Sequence, residues 1–218
     1  MKLSWLFLLL CIIGSTLLTY IHIEVNNYVN IVFLASIFTL SLFAKRQENI
    51  KHLSTILLLL TAAEYYFNSW MLSMRAQGLE AHLTNAYIFG LHLIFDTLMI
   101  VILKRRVYWS LKYIRKIAPD NWRSIYMTHA DPILYAIFFG FVLVDLAAFG
   151  ENLIRYMDLF FGVSEEASKP YWSWSWVYKN YEILKSILLS CVVTTLLATI
   201  FVERQRSDTP DEELESES

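Results

Sequence analysis

Long apolar runs recur along the chain, and charged or turn-forming residues separate them. Each run holds about 20 residues, and a helix of that length, rising about 1.5 Å per residue, would cross the ~30 Å hydrocarbon layer of a membrane. An unpaired backbone amide in lipid costs several kcal/mol, so a segment that crosses the layer here must be helical. The pattern predicts an all-α bundle of six transmembrane helices, at residues 3–20, 28–44, 53–74, 85–103, 132–150 and 181–202.

Composition also places most of the chain in lipid. Of the 218 residues, 56% are hydrophobic and 17% are charged, whereas a soluble domain has about 25% charged residues. No small-residue cleavage site follows the first apolar run, so we expect a retained helix there rather than a signal peptide. Residues 1–206 thus form one predicted transmembrane domain. The acidic segment 207–218 has no aromatic residue and is predicted to be disordered.

The lysines and arginines predict the orientation of these helices. If the amino terminus is cytoplasmic, 13 of the 18 basic residues fall in cytoplasmic segments and four fall on the other side. The cytoplasmic loops of membrane proteins carry such an excess of positive charge. We therefore expect a multi-pass protein of an inner or plasma membrane, with both termini in the cytoplasm.

The segment after the fourth predicted span has an amphipathic pattern. Its apolar residues recur at helical spacing, at Val107, Leu111, Ile114 and Ala118, and Pro119 follows them. The pattern predicts a short, separate helix on the inner leaflet, where anionic headgroups attract each basic residue by about 1 kcal/mol. The residues expected to contact lipid headgroups or, alternatively, a protein partner are Arg105, Lys112, Arg115 and Lys116.

Ionisable side chains lie within four of the predicted spans. A charged side chain at the bilayer centre is costly, so such residues usually face a bundle interior or a water-filled cavity. The residues near the midplane form a candidate proton or ion site, namely Glu64, Asn68, His92 and Asp96. Asp145 and Lys185 lie nearer the outer face and form a candidate charge pair or gate. The alternative is that all of these groups only hold helices together.

These residues favour a small transporter or channel-like protein for a proton, an ion or a small polar solute. The first alternative is a non-enzymatic accessory subunit that acts through its helix faces and basic loop. The second is an intramembrane metalloenzyme, with the candidate ligands Glu64, His92, Asp96 and Asp145. Only one histidine lies at mid-depth, so we expect no metal. The sequence has no G-x-S-x-G, H-E-x-x-H or phosphate-binding glycine motif, so it predicts neither catalytic residues nor a cofactor.

The predicted surroundings of the chain are the lipid bilayer and its headgroups, with no nucleic acid. Small residues recur every fourth position in the sixth span, at Ser186, Ser190, Thr194 and Ala198. Such a face lets another helix approach closely. We expect this face to pack inside the bundle, and the alternative is an interface with a second copy of the chain or with another membrane protein.

Overall fold

The computed structural model describes residues 13, 17, 20, 35–40, 42 and 47–207, with side chains described as far as Glu203. All regular structure among these residues is helical. The all-α prediction is therefore confirmed for this part of the chain. Most of the predicted first and second spans, both chain termini and residues 208–218 lie outside the described residues, so the number of six spans stays a prediction.

Six α-helices occupy the continuous segment 47–207. They are α1 Glu48–Ala76, α2 Ala81–Ile117, α3 Ala130–Arg155, α4 Met157–Phe161, α5 Glu165–Ser168 and α6 Trp176–Ser207. Two 3-10 turns connect them, Pro119–Ser124 between α2 and α3 and Lys169–Tyr171 between α5 and α6. The four long helices form a bundle, and the short helices α4 and α5 lie in the connection between α3 and α6.

Three of these helices are long and apolar enough to cross a membrane. They are Ala81–Ile117, Ala130–Arg155 and the Trp176–Glu203 part of α6. Each contains one of the predicted spans. Helix α1 contains the predicted third span, 53–74, but it is less apolar because Glu64, Asn68 and two tyrosines interrupt it. The described part of the chain thus carries three candidate membrane spans.

Helix α3 packs against both α2 and α6, and α1 packs against α2 and, less extensively, against α6. All four long helices contribute to one apolar core, which includes Leu53, Leu57, Met99, Leu103, Leu134, Phe138, Phe141, Val192 and Leu196. A Cβ atom at Gly140 of α3 would lie 3.1 Å from Leu188 Cδ2 of α6. Glycine at this position therefore allows a close approach of the two helices.

Part of the small-residue face of α6 is packed inside the bundle. Ser186 and Ser190 are 2% and 4% exposed. Their hydroxyls donate to backbone carbonyls four residues earlier, at 2.6 and 2.8 Å. Within a single chain, this half of the face is therefore already covered.

The predicted separate amphipathic helix after the fourth span is wrong. Helix α2 runs without a break from Ala81 to Ile117, a helix of 37 residues, or about 55 Å. No glycine or proline interrupts it between Gly90 and Pro119, and Arg106 is fully buried rather than exposed at a turn. Ile114 of the predicted lipid-facing stripe is buried in the protein. The stripe therefore contributes to packing inside the chain.

Candidate functional site

A buried lysine joins the four long helices. Lys185 of α6 is 7% exposed, and its Nζ lies 2.9 Å from Asp96 Oδ2 of α2. The same atom lies 3.2 Å from Asp145 Oδ1 of α3 and 3.4 Å from Glu64 Oε1 of α1. A buried ammonium requires carboxylates or other acceptors around it. We refer to Lys185, Glu64, Asp96 and Asp145 as the Lys185 cluster.

A hydrogen-bonded tyrosine and histidine extend this cluster. Tyr181 lies one turn before Lys185 on α6, and its hydroxyl donates to Asp145 Oδ1 at 2.7 Å. His92 Nδ1 lies 2.6 Å from the same hydroxyl oxygen and 3.6 Å from Glu64 Oε1. The Tyr181 hydroxyl oxygen therefore connects His92 to Asp145.

A cavity of about 50 Å³ adjoins these groups. Its polar lining includes Thr61, Glu64 and Asn68 of α1, together with His92 and Asp96 of α2, and α6 contributes Tyr181, Glu182 and Lys185. A volume of this size has room for a few water molecules. The exposure of the carboxyl side chains falls inward, from 20% at Glu64 to 5% at Asp96 and 0% at Asp145. Glu64 is therefore the carboxyl group of the cluster nearest to solvent.

The local sequence explains why these side chains converge. His92 and Asp96 are four residues apart on α2, as are Tyr181 and Lys185 on α6. Residues at this spacing share one helical face, with about one turn between them. Two such faces oppose each other across the bundle, and α1 and α3 add one carboxyl group each. The cluster therefore follows from helical spacing once the neighbouring helices are known.

The structure brings the predicted site residues into one group. The sequence places Asp145 and Lys185 in a pair apart from a midplane proton or ion site. Lys185 does contact Asp145, but it also contacts Asp96 and Glu64. Asn68 lines the cavity. The separation of an outer gate from a midplane site is therefore not present in the described structure.

Sequence reasoning missed Tyr181 as a member of the site. It is 6% exposed and connects His92 to Asp145 through one hydroxyl. A tyrosine near the end of a predicted span is typical of the membrane interface, which hides its role. The signal that could have identified Tyr181 is its spacing of four residues from Lys185.

The charge balance of the Lys185 cluster determines how many of its carboxyl groups carry protons. One ionised carboxylate balances the ammonium, and each further ionised carboxylate leaves an uncompensated charge in a buried site. Such charges are expensive away from water, so a neutral cluster is favoured. Because three carboxyl groups contact the lysine, a neutral cluster carries protons on two of them. Such a cluster can therefore hold protons.

Three of the candidate metal ligands of the sequence analysis surround a lysine instead. Among the residues that the structure describes, no group of three or more His, Cys, Asp or Glu side chains is arranged to hold a metal ion. Lys185 Nζ lies between the carboxyl groups of Glu64, Asp96 and Asp145. The ammonium therefore takes the position that a cation bound by these three ligands would need.

A second buried ion pair lies toward the carboxyl end of α2. Arg106 is 0% exposed, and its Nε and Nη2 donate to Asp131 Oδ1 and Oδ2 at 2.5 and 2.6 Å. Arg106 also donates to Asn49 Oδ1 of α1 at 3.2 Å and to the Tyr126 carbonyl at 2.8 Å. The Tyr126 hydroxyl donates to Glu203 of α6. This Arg106 network therefore links α1, α2, α3 and α6.

Asp131 is not the N-cap of α3, although the local sequence suggests that role. The pair Asp131-Pro132 suggests an N-cap aspartate followed by a proline in the first turn. The helix instead begins at Ala130. The Asp131 carboxylate is used elsewhere, because it pairs with Arg106 and accepts a hydrogen bond from the Thr128 backbone N–H at 2.7 Å.

The basic residues predicted to contact headgroups or a partner lie on the last turns of α2. Arg105, Lys112, Arg115 and Lys116 are all exposed. The Arg115 guanidinium lies 5.6 Å from the centre of the Trp122 ring, within cation–π range. Contact with lipid or with a protein stays a prediction.

Comparisons with protein families, with curated proteins and with solved structures gave no match. The class of this protein therefore rests on its fold and on its buried site. The described chain is a helical bundle with three candidate membrane spans and a buried cluster of ionisable side chains.

Proposed function

We propose that this chain is a small transporter or channel-like protein that moves a proton, an ion or a small polar solute across a membrane. One observation carries the proposal: ionisable side chains from four helices meet at Lys185 Nζ beside a polar cavity. Ionisable residues inside membrane proteins pair with one another and mark ion pathways and proton relays.

The number of carboxyl groups favours exchange over a purely structural ion pair. A lysine that only bridges two helices needs one carboxylate partner, and this lysine has three. The extra carboxyl groups must carry protons or attract cations to avoid a net buried charge. Their graded exposure, with Glu64 nearest to solvent, gives protons or cations a path to the buried pair.

The proposal includes the full predicted topology. Six spans with both termini in the cytoplasm of an inner or plasma membrane agree with the distribution of basic residues. In this topology Arg106 lies toward the cytoplasmic side, so its buried network would close the bundle there. The Lys185 cluster would then open toward the outer side.

The exposed basic residues near the end of α2 favour one alternative, an accessory role in which the protein binds anionic lipid or a membrane partner through Arg105, Lys112, Arg115 and Lys116. In that case the buried carboxyl groups serve packing alone. Neutralising them would leave function unchanged, and the flux experiment below separates the two proposals.

Proton flux into proteoliposomes tests the proposal. A potassium diffusion potential set by valinomycin drives protons inward, and a trapped pH-sensitive dye reports the internal pH. We expect wild-type protein to acidify the lumen faster than protein-free liposomes do. Glu64→Gln and Asp96→Asn remove one exchangeable proton each and should reduce the flux to the protein-free rate.

Exposed acidic residues provide the matched controls. Glu166 and Asp120 are exposed, so Glu166→Gln and Asp120→Asn repeat the same chemical changes away from the cluster. Both should transport at the wild-type rate. Equal flux in the wild type and in the two cluster variants would remove the transport proposal and favour the accessory role.

A further inference from the structure

A groove lies at the protein surface between the amino end of α1 and the last turns of α2. Its volume is about 710 Å³, within the range of about 300–1,000 Å³ that small-molecule sites occupy. Ile56 of α1 and Trp109, Ile114 and Ile117 of α2 form an apolar wall. Trp109 and Ile117 are 44% and 63% exposed. Apolar surface that stays exposed beside a groove is typical of a binding site.

The groove also contains charged and polar groups. Lys51 and His52 of α1 line it. Among the described residues, the Lys51 ammonium makes one hydrogen bond, to Glu48 at 2.7 Å. An ammonium has three N–H bonds, so two are left for a ligand. Of the described residues that line the groove, only Glu48 is acidic, and Lys51 balances its charge.

Further basic residues border the groove along α2. Arg105, Lys112 and Lys116 are separated by seven and four residues, so they lie on one face of the helix. All three are exposed, and Trp109 of the apolar wall lies about one turn from Arg105 and from Lys112. Residues 97–124 include seven basic residues and one acidic residue. Positive charge therefore exceeds negative charge beside the groove.

In the proposed topology the groove lies at the depth of the inner-leaflet headgroups. The apolar run of α2 stops at Lys104. Arg106 donates to Asn49 Oδ1, so the amino end of α1 is level with the basic residues that follow this run. Tyr108 and Tyr113 are 65% and 57% exposed, and exposed aromatic rings are typical of this depth. An anionic phospholipid combines apolar chains with a negative headgroup, so it matches both parts of the lining.

We infer that the groove between α1 and α2 binds one anionic phospholipid. Its phosphate accepts hydrogen bonds from Lys51 and His52, and its acyl chains lie against Trp109 and Ile117. The exposed basic residues of α2 attract the headgroup. This inference is independent of the transport proposal, because a transporter and an accessory subunit can both hold such a lipid.

Native mass spectrometry of the purified, delipidated full-length chain in a neutral detergent tests this inference. Phosphatidylglycerol and phosphatidylcholine with the same acyl chains compete at equal concentration. Each basic residue near an anionic headgroup favours binding by about fivefold, so we expect one phosphatidylglycerol per chain and at least this preference. Glycerol phosphate has no acyl chains and should not displace the lipid. Equal retention of the two lipids, or displacement by glycerol phosphate, would overturn the inference.

A substitution that fills the groove separates a bound lipid from general attraction to a basic surface. Thr55 lines the groove and is exposed, so Thr55→Trp occupies the groove without removing a charge. We expect the one-to-one complex to be lost. Thr97→Trp makes the same change at an exposed position of α2 outside the groove and should retain the lipid. Wild-type retention in Thr55→Trp would overturn the groove as the site.

Lys51→Gln tests the contact with the phosphate. A hydrogen bond to a charged group contributes enough that its loss weakens binding by about tenfold or more. Lys112→Gln removes only a bordering charge, and we expect a loss of about fivefold. The control is Lys179→Gln at an exposed position of α6, which should bind as the wild type does. Wild-type retention in both Lys51→Gln and Lys112→Gln would overturn the assignment of an anionic headgroup.

Discussion

Replacing Lys185 with methionine is expected to lower the free energy of unfolding strongly. Methionine keeps the length of the side chain and its apolar stem but removes the ammonium. The ionised carboxylate that balances the ammonium, in a site where the Asp96 and Asp145 side chains are 5% and 0% exposed, is then left without a counter-charge. Removing one partner of a buried ion pair costs about 3–5 kcal/mol. Chemical or thermal unfolding in detergent, followed by circular dichroism, measures this loss.

Lys179→Met is the matched control for this substitution. Lys179 lies on the same helix and is exposed, so losing its charge should change the free energy of unfolding by no more than about 0.5 kcal/mol. If Lys185→Met and Lys179→Met had equal effects, the Lys185 ammonium would not be holding the carboxyl groups of α2 and α3.

The second large effect is expected at the Arg106 network. Arg106→Met removes two hydrogen bonds to Asp131. Asp131 is only 5% exposed, so its carboxylate is then buried without a counter-charge. We expect a loss of about 3–5 kcal/mol in the free energy of unfolding. The same unfolding assay in detergent measures it. The loss should also loosen α1, since Arg106 donates to Asn49.

Arg105→Met tests whether the loss of stability comes from the buried position of Arg106 rather than from the loss of one positive charge. The two arginines are adjacent in the chain, but Arg105 is exposed, so its replacement should have an effect within about 0.5 kcal/mol. Adding Asp131→Asn to Arg106→Met should recover part of the loss, because it removes the unpaired buried charge. If the two arginine substitutions had equal effects and Asp131→Asn recovered none of the lost stability, a buried Arg106–Asp131 ion pair would be contradicted.

The apolar pattern predicted the positions of the long helices well but not their ends. The predicted spans 85–103 and 132–150 lie inside Ala81–Ile117 and Ala130–Arg155. A helix satisfies its own backbone, so it can continue beyond the hydrocarbon layer wherever no glycine or proline stops it. Hydropathy marks the part of a helix that is apolar enough to contact lipid, not the residue at which the helix ends. For this reason it could not predict that α2 continues to Ile117.

The burial of Arg106 could not be predicted for a related reason. Three consecutive basic residues, Lys104, Arg105 and Arg106, are typical of a headgroup boundary. Successive helical residues point about 100° apart, so the three side chains face three different directions and they cannot all be equally exposed. Which one is buried depends on Asp131 and Asn49, which are distant in the chain.

The residues of the Lys185 cluster could be singled out from the sequence, whereas their grouping could not. Their polar character within predicted spans, with the four-residue spacing of His92 and Asp96, indicated the polar face of α2. No sequence rule states which helices are neighbours. The convergence of Glu64, Asp96 and Asp145 on Lys185, and the place of Tyr181 among them, therefore required the packing of the bundle.

Double-mutant cycles test most directly whether Lys185 contacts carboxyl groups on three other helices. The free energy of unfolding is measured for Lys185→Met combined in turn with Asp96→Asn, Asp145→Asn and Glu64→Gln. The control cycle combines Lys185→Met with Asp120→Asn at an exposed position. We predict that each cluster pair is coupled by about 1 kcal/mol or more, the double variant losing less than the sum of the single losses. Losses that add to within about 0.5 kcal/mol in all three cycles, as expected for the control, would contradict the claim.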